Sequence, residues 1–162
     1  MPDMLVKLYE LPDAKPLLDT LHAEGIDVRR SIAPEKHHVV NWVREKFHQA
    51  WASETETTYS NHPVSCWVAT KENTLLGFAC YDVTAKAFFG PTGVDESLRG
   101  KGIGKALLLV CLHDMLAQGY GYAIIGAAGP VDFYSKAVNA VAIPNSWPGV
   151  YRGMLRDKGG EG

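Results

Sequence analysis

The apolar and polar positions of the first third of the chain predict one strand, two helices and a loop. Residues 4–11 alternate weakly before a proline and predict a strand. Leucines at helical spacing within residues 16–24, closed by a glycine, predict a helix. Apolar residues recur at every fourth position within residues 34–51 and predict a second helix. The polar residues 53–62 that follow predict a loop.

The rest of the chain predicts six strands and two helices. The strands are expected at residues 64–70, 74–84, 85–94, 122–126, 139–143 and 150–155. Residues 90–93, Gly-Pro-Thr-Gly, interrupt one run and indicate a bulge or a close approach to the backbone. Residues 103–118 predict a helix that is apolar nearly all round and therefore deeply buried. A short helix is expected after Gly129-Pro130.

The interspersed order of these elements predicts an α/β (α+β) fold. Its core is expected to be a mixed, twisted, mostly antiparallel sheet of about seven strands, flanked by helices. The length of 162 residues favours one domain, which we place at residues 1–157. Residues 158–162 have nothing apolar to bury, and they are predicted to form a flexible tail.

Composition narrows the class of protein. A net charge of −2 argues against a nucleic-acid partner, which usually requires a concentrated basic surplus. Three cysteines without Cys-x-x-Cys spacing favour neither a disulfide scaffold nor a zinc site, so a reducing, cytoplasmic location is expected. The N-terminus lacks a signal-peptide pattern, and the longest apolar run is far too short to cross a membrane.

The sharpest local motif opens the most apolar helix. Its sequence is Arg99-Gly100-Lys101-Gly102-Ile103-Gly104-Lys105-Ala106. Glycines allow the chain to expose consecutive backbone N–H groups, and the start of a helix adds unpaired donors and the positive end of its dipole. Three basic side chains add positive charge at the same place. These features together predict a site for a phosphate or pyrophosphate group.

Two phosphate-binding motifs do not fit this segment. A Walker A loop needs Ser or Thr after Gly-Lys, and here Ala106 follows Gly104-Lys105. The dinucleotide fingerprint needs a glycine where the chain has Lys105. A glycine-rich helix start with solvated charges and no ligand remains as the alternative interpretation.

The motif Arg99-x-x-Gly102-x-Gly104 resembles the acetyl-coenzyme A signature of the GNAT superfamily of N-acetyltransferases. The segment Phe133-Tyr134-Ser135-Lys136 falls where that family places a Phe-Tyr-x-Lys helix. The segment Pro148-Gly149-Val150-Tyr151 resembles the turn-and-strand ending of some members. The resemblance is specific over residues 64–155. It departs from the family at Ala127, Pro130 and Val138, near the pantetheine.

The resemblance implies that acetyl-coenzyme A, with no metal, enters a split between the fourth and fifth predicted strands. It implies that the Val94 N–H meets the thioester carbonyl as that oxygen becomes an oxyanion. Tyr134 would donate a proton to the departing thiolate, although packing beside Phe133 with its hydroxyl on a backbone carbonyl is the alternative. The implied coenzyme-binding residues are Val94, Arg99, Gly100, Lys101, Gly102, Ile103, Gly104, Lys105, Phe133 and Lys136.

The implied function is acetyl transfer from acetyl-coenzyme A to a primary amine of an unidentified acceptor. A non-catalytic acyl-coenzyme A binding or sensor domain is the alternative, and the presence of Tyr134 favours the enzyme. The attacking amine must lose a proton, for which Asp82, Glu54, Glu56 and His62 are candidate acceptors, none of them assigned. The oligomeric state is open, with a homodimer as one alternative.

Overall fold

A seven-stranded mixed sheet forms the centre of the structure, a computed structural model that describes residues 1–157. The predicted tail, residues 158–162, lies outside the described residues. The strands are β1 (Met4–Lys7), β2 (Asp27–Arg30), β3 (Cys66–Lys71), β4 (Thr74–Tyr81), β5 (Phe88–Val94), β6 (Tyr122–Ile125) and β7 (Val141–Ala142). The helices are α1 (Lys15–Ala23), α2 (Lys36–Lys46), α3 (Gln49–Thr57), α4 (Ile103–Ala117) and α5 (Val131–Val138).

The strand order is β2-β3-β4-β5-β6-β1-β7, which confirms the predicted mixed sheet. Every neighbouring pair is antiparallel except β5 and β6, which run parallel. The N-terminal strand β1 lies between β6 and β7, and it pairs with both. The two strands beyond β6 therefore come from opposite ends of the described chain, β1 from its beginning and β7 from near its end.

The helix predicted over residues 34–51 is in fact two helices. The break lies at Phe47, whose φ of −126° and ψ of −100° leave the helical region. The His48 side chain then accepts a hydrogen bond from the backbone N–H of Trp51 and caps α3. The loop predicted over residues 53–62 is also wrong, because α3 continues to Thr57. Its buried positions, Ala52 and Thr55, are too weakly apolar to mark a helix by periodicity.

Other differences concern strands. β2 was not predicted, because its sequence Asp-Val-Arg-Arg is polar and it lies at the sheet edge, where polar residues are common. The strand predicted over residues 150–155 is wrong: a 3-10 turn, Gly149–Tyr151, takes its place. The first predicted strand ends early, at Lys7, and the strand predicted over residues 139–143 has two residues.

Two apolar clusters cover the two faces of the sheet. Along β4, Ala79 and Tyr81 belong to the cluster with α1 and α4, whereas Phe78 and Cys80 belong to the cluster with α2 and α3. This alternation follows from the period of two in a strand. Nine of the 15 residues of α4 are buried, as its sequence predicted. Within residues 1–157 no helix combines the length and the hydropathy needed to cross a membrane.

An ion pair joins α4 to β2, the edge strand of the sheet. The Arg30 guanidinium on β2 binds Asp114 of α4 at 2.9 Å, and it donates to the Val64 carbonyl oxygen at 2.7 Å. Trp67 and Tyr81 also donate to the Asp114 carboxylate. Burial is the largest single influence on Asp114 and opposes its ionisation, but the hydrogen bonds from Arg30, Tyr81 and Trp67 and the charge of Arg30 together outweigh it and lower the pKa of that carboxyl.

Replacement of Arg30 by Met should destabilise the protein by about 2 kcal/mol. The loss stays below that of a fully buried pair because both side chains keep some solvent contact. The double variant Arg30→Met/Asp114→Asn should recover part of this loss, because no charge is then left without its partner. Urea unfolding measures both values, and a loss below about 0.5 kcal/mol for Arg30→Met would contradict the argument.

Candidate functional site

The two parallel strands of the sheet separate soon after they meet. β5 and β6 pair only at Phe88 with Ile124 and at Phe89 with Ile125. Beyond Phe89, β5 continues to Val94, whereas the chain after Ile125 leaves the sheet and leads to α5. This gap is the predicted split. It lies between the fifth and sixth strands of the chain, because β2 adds one strand to the predicted count.

The predicted bulge lies where the strands separate. Phe89 faces Tyr81 and Thr92 faces Ala79, so the two residues Gly90 and Pro91 oppose a single residue of β4. Gly90 has a φ of +122°, a conformation that side chains with a Cβ rarely adopt. The bulge changes which backbone groups of β5 point into the split.

The backbone N–H groups of Thr92 and Val94 point into the split. The Asp95 N–H donates to the Leu76 carbonyl oxygen of β4 at 2.8 Å. Adjacent residues of an antiparallel strand direct their polar groups to opposite sides, so Val94 and Thr92 direct theirs away from β4. The sequence predicted the Val94 donor. Thr92 was missed, although strand alternation places it on the same edge.

The helix predicted to hold a phosphate begins beside this edge. The first helical hydrogen bond of α4 runs from the Ala106 N–H to the Gly102 carbonyl oxygen, so the N–H groups of residues 103–105 have no partner within the helix. A Cβ built on Gly104 would lie 3.7 Å from Cγ2 of Val94. The helix start and the open edge of β5 are therefore adjacent.

The side chains of this segment differ in what they can contribute. The basic side chains of Arg99, Lys101 and Lys105 are exposed around the helix start, as is Gly100, whereas the Ile103 side chain is buried in the core. Ile103 can therefore contribute only its backbone. A Cβ on Gly102 would lie 2.9 Å from Leu17 of α1, at a φ of +87°. The left-handed backbone therefore requires glycine at position 102, and the Leu17 methyl group would have to shift for any larger residue.

Tyr134 lies on α5, the helix that follows β6. Only 6% of the residue is exposed, and burial raises the pKa of Tyr134 to about 12. Its ring contacts Phe133 edge-on at 5.1 Å, yet its hydroxyl makes no hydrogen bond to any residue among 1–157. The backbone-carbonyl contact of the alternative interpretation is therefore not present in the described chain. Phe133 and Lys136 are exposed on the same helix.

The junction of α2 and α3 covers the other face of β5. A Cβ on Gly93 would lie 2.3 Å from the Phe47 ring, so that ring rests directly on the glycine. Lys46 forms an ion pair with Asp95 at 3.0 Å and fixes the end of α2 over the end of β5. Sequence analysis did not identify Phe47 as part of the site, because the contact joins residues far apart in the chain.

Three of the four candidate proton acceptors lie in unsuitable places. Asp82 accepts hydrogen bonds from the Ala87 N–H and the Tyr120 hydroxyl, both at 2.7 Å, and holds the turn between β4 and β5. Glu56 is exposed and lies 3.5 Å from the Lys36 ammonium group, and His62 is exposed. Within the described chain, no three His, Cys, Asp or Glu side chains are grouped to hold a metal ion.

Comparison with known proteins identifies relatives of this architecture. The sequence model of the Acetyltransferase (GNAT) family matches residues 35–137, more than half of the chain. No curated protein matches the chain. A GCN5-related N-acetyltransferase from Sphaerobacter thermophilus is similar in structure, with 21% sequence identity and a TM-score of 0.69. That alignment covers 88% of this chain and 48% of the other.

Two further solved structures share the fold. One contains the glucosamine N-acetyltransferase region of a fungal multi-domain GH3 beta-N-acetylglucosaminidase, with 15% identity, a TM-score of 0.72, and coverage of 88% and 19%. The other is a GNAT family acetyltransferase from Brucella melitensis in complex with acetyl-CoA, with 15% identity, a TM-score of 0.51, and coverage of 73% and 88%. The chain thus spans about half of the Sphaerobacter protein and 19% of the fungal one.

Replacement of Gly93 by Ala should destabilise the protein by about 1–3 kcal/mol, because the added methyl group collides with the Phe47 ring. Phe47→Leu removes the obstacle, so the double variant should cost at least 1 kcal/mol less than the sum of the single variants, by about the size of a contact coupling. Gly104→Ala, whose Cβ meets only ordinary contacts, is the matched control. Additive losses in urea unfolding would contradict the contact.

Proposed function

Since the chain belongs to the GNAT acetyltransferase family, we propose that it transfers an acetyl group from acetyl-coenzyme A to a primary amine. The amine attacks the thioester directly, and residues 1–157 form the acetyltransferase domain. One observation carries this proposal: the open edge of β5, with two inward N–H groups, lies against the free N–H groups that open α4. A thioester and a pyrophosphate attached to one molecule need such donors in this order.

The start of α4 would bind the pyrophosphate. The N–H groups of residues 103–105 and the helix dipole favour an anion there. The exposed cations of Arg99, Lys101 and Lys105 add attraction that salt weakens. The exposed Phe133 and Lys136 of α5 would contact the coenzyme from the opposite side of the split.

The open edge of β5 would stabilise the transition state. As the amine attacks, the thioester carbonyl oxygen gains negative charge, and the Val94 N–H is placed to donate to it. The Thr92 N–H lies on the same edge, two residues closer to the bulge, and supplies a second donor. Both groups are fixed by the β4–β5 ladder, so little reorganisation is needed when the charge develops.

Tyr134 would protonate the leaving thiolate. With a pKa of about 12, its hydroxyl is protonated at neutral pH, and no residue among 1–157 competes for that proton. A free thiol has a pKa of about 8.5, so the hydroxyl would act by donating a hydrogen bond to the sulfur as charge develops there, with proton transfer completed as the thiol leaves. The raised pKa thus ensures that the hydroxyl carries the proton that a donor needs.

The proposed pyrophosphate site at the start of α4 is tested by the pair Gly104→Asp and Gly104→Ala. Acetyl-coenzyme A at 100 times its dissociation constant should stabilise the parent and the Ala variant by about 2.7 kcal/mol, seen as a higher melting temperature. The Asp variant should lose this gain, because its carboxylate repels the phosphates. Desulfo-coenzyme A should act like acetyl-coenzyme A, and ATP much less. An Asp variant that binds like the parent would remove the pyrophosphate from this helix.

Tyr134→Phe separates an enzyme from a non-catalytic binding domain. The variant keeps the ring and its packing on Phe133, so the melting temperature and the acetyl-coenzyme A dissociation constant should barely change. Turnover, followed by free thiol release with a responsive amine, should fall by about 10²–10⁴ if the hydroxyl is the acid. Equal turnover under conditions where chemistry limits the rate would exclude Tyr134 from the reaction.

A further inference from the structure

The Glu54 side chain lies at the point where β5 and β6 separate, on the face covered by α3. Its carboxylate accepts a hydrogen bond from the Thr84 hydroxyl, and the Tyr151 hydroxyl interacts with both groups. That same Tyr151 hydroxyl lies 3.7 Å from the position of a Cβ on Gly126. Gly126 in turn donates its N–H to the Phe89 carbonyl oxygen, where the two strands last meet.

A second contact places this part of α3 level with the bulge. The Thr55 hydroxyl, on the residue after Glu54, contacts the Cys80 thiol at 3.7 Å. Cys80 is the residue of β4 that opposes Gly90 and Pro91. Glu54 therefore precedes the residue of α3 that contacts Cys80, which lies opposite the bulge, and the N–H of Thr92 follows that bulge directly.

The carboxylate of Glu54 is half-buried without a cation. Among residues 1–157 no Lys, Arg or His side chain forms an ion pair with it, whereas Glu56 on the same helix contacts Lys36. A buried carboxylate is normally paired. Burial raises the pKa of the Glu54 carboxyl, and the hydrogen bonds from Thr84 and Tyr151 offset part of that rise.

We propose that Glu54 accepts the proton that the attacking amine must lose, and that the acceptor substrate is a cationic primary amine whose ammonium group binds this carboxylate. The proposal rests on the proposed acetyltransferase function. It also explains the unpaired charge: the missing cation is the substrate. The titratable groups that surround Glu54 are Tyr151, on the 3-10 turn, and Asp3 beyond it, whose carboxylate accepts a hydrogen bond from the Ala127 N–H. Asp82, in the loop between β4 and β5, accepts hydrogen bonds from the Ala87 N–H and the Tyr120 hydroxyl.

The protons balance as follows. The ammonium group transfers one proton to Glu54, and the freed lone pair forms the C–N bond to the thioester carbon. The oxyanion then reforms the carbonyl, the C–S bond breaks, and the sulfur takes the proton of Tyr134. The second proton lost by the nitrogen returns to the tyrosinate, and Glu54 releases its proton to solvent. One ammonium and one thioester thus give one amide, one thiol and one proton.

The test compares Glu54→Gln with Glu56→Gln, a change on the same helix outside the site. Thiol release is first measured for the parent with a panel of primary amines. With the best amine, Glu54→Gln should lower kcat/KM by about 10²–10⁴. Its affinity for acetyl-coenzyme A and its melting temperature should stay near those of the parent. Glu56→Gln should retain the parent rate. In Glu54→Gln the acidic limb that Glu54 sets should be replaced by one at higher pH, along which the rate rises towards the pKa of the free amine.

Thr84→Val provides a second test should Glu54→Gln fail to fold. Loss of the Thr84 hydrogen bond raises the pKa of Glu54 further, so the acidic limb should move to higher pH while the plateau rate is retained. An active parent with an unaltered rate in Glu54→Gln, or an unmoved limb in Thr84→Val, overturns the role of Glu54 and leaves the proposed function intact. A parent that releases no thiol with any amine overturns both.

Discussion

Two parallel residue pairs, Phe88 with Ile124 and Phe89 with Ile125, hold the halves of the sheet together. A longer pairing would use the polar groups of Thr92 and Val94 for sheet hydrogen bonds, and a shorter one would leave β6, β1 and β7 without an anchor. The bulge at Gly90 and Pro91 lies directly after the last pair. The geometry of the site therefore follows from the place at which parallel pairing stops.

The two sides of the split have different chemistry. On the α4 side, free N–H groups and exposed cations favour an anionic ligand. On the α3 side, Glu54 presents a half-buried negative charge, and the ring of Phe47 closes over Gly93. A reaction between an anionic donor and a cationic acceptor fits this polarity, because each substrate is attracted to its own side and repelled from the other.

Sequence patterns predicted the elements whose residues carry strong local signals. The apolar helix α4 was predicted because residues buried on nearly all sides of a helix are apolar. Its start was predicted because left-handed backbone positions favour glycine, as at Gly100 and Gly102. β2 and α3 were missed because an edge strand and a mainly polar helix resemble loops. Within the site, Val94 and Tyr134 came from a family motif. Thr92 and Phe47 required the register of the sheet and a contact between distant residues, and Glu54 could be chosen among four candidates only from burial and partners.

The position of β1 has a consequence for how the protein folds. Met4 pairs with Ile125, so the outer neighbour of β6 comes from a segment far away along the chain. Closing such a loop costs conformational entropy before any contact repays it, which slows folding in proteins of high contact order. The hairpins β3–β4 and β4–β5 can form early, because their contacts are closer in sequence. The half of the sheet formed by β6, β1 and β7 then completes last, so the split between β5 and β6 is among the final features of the native state to appear.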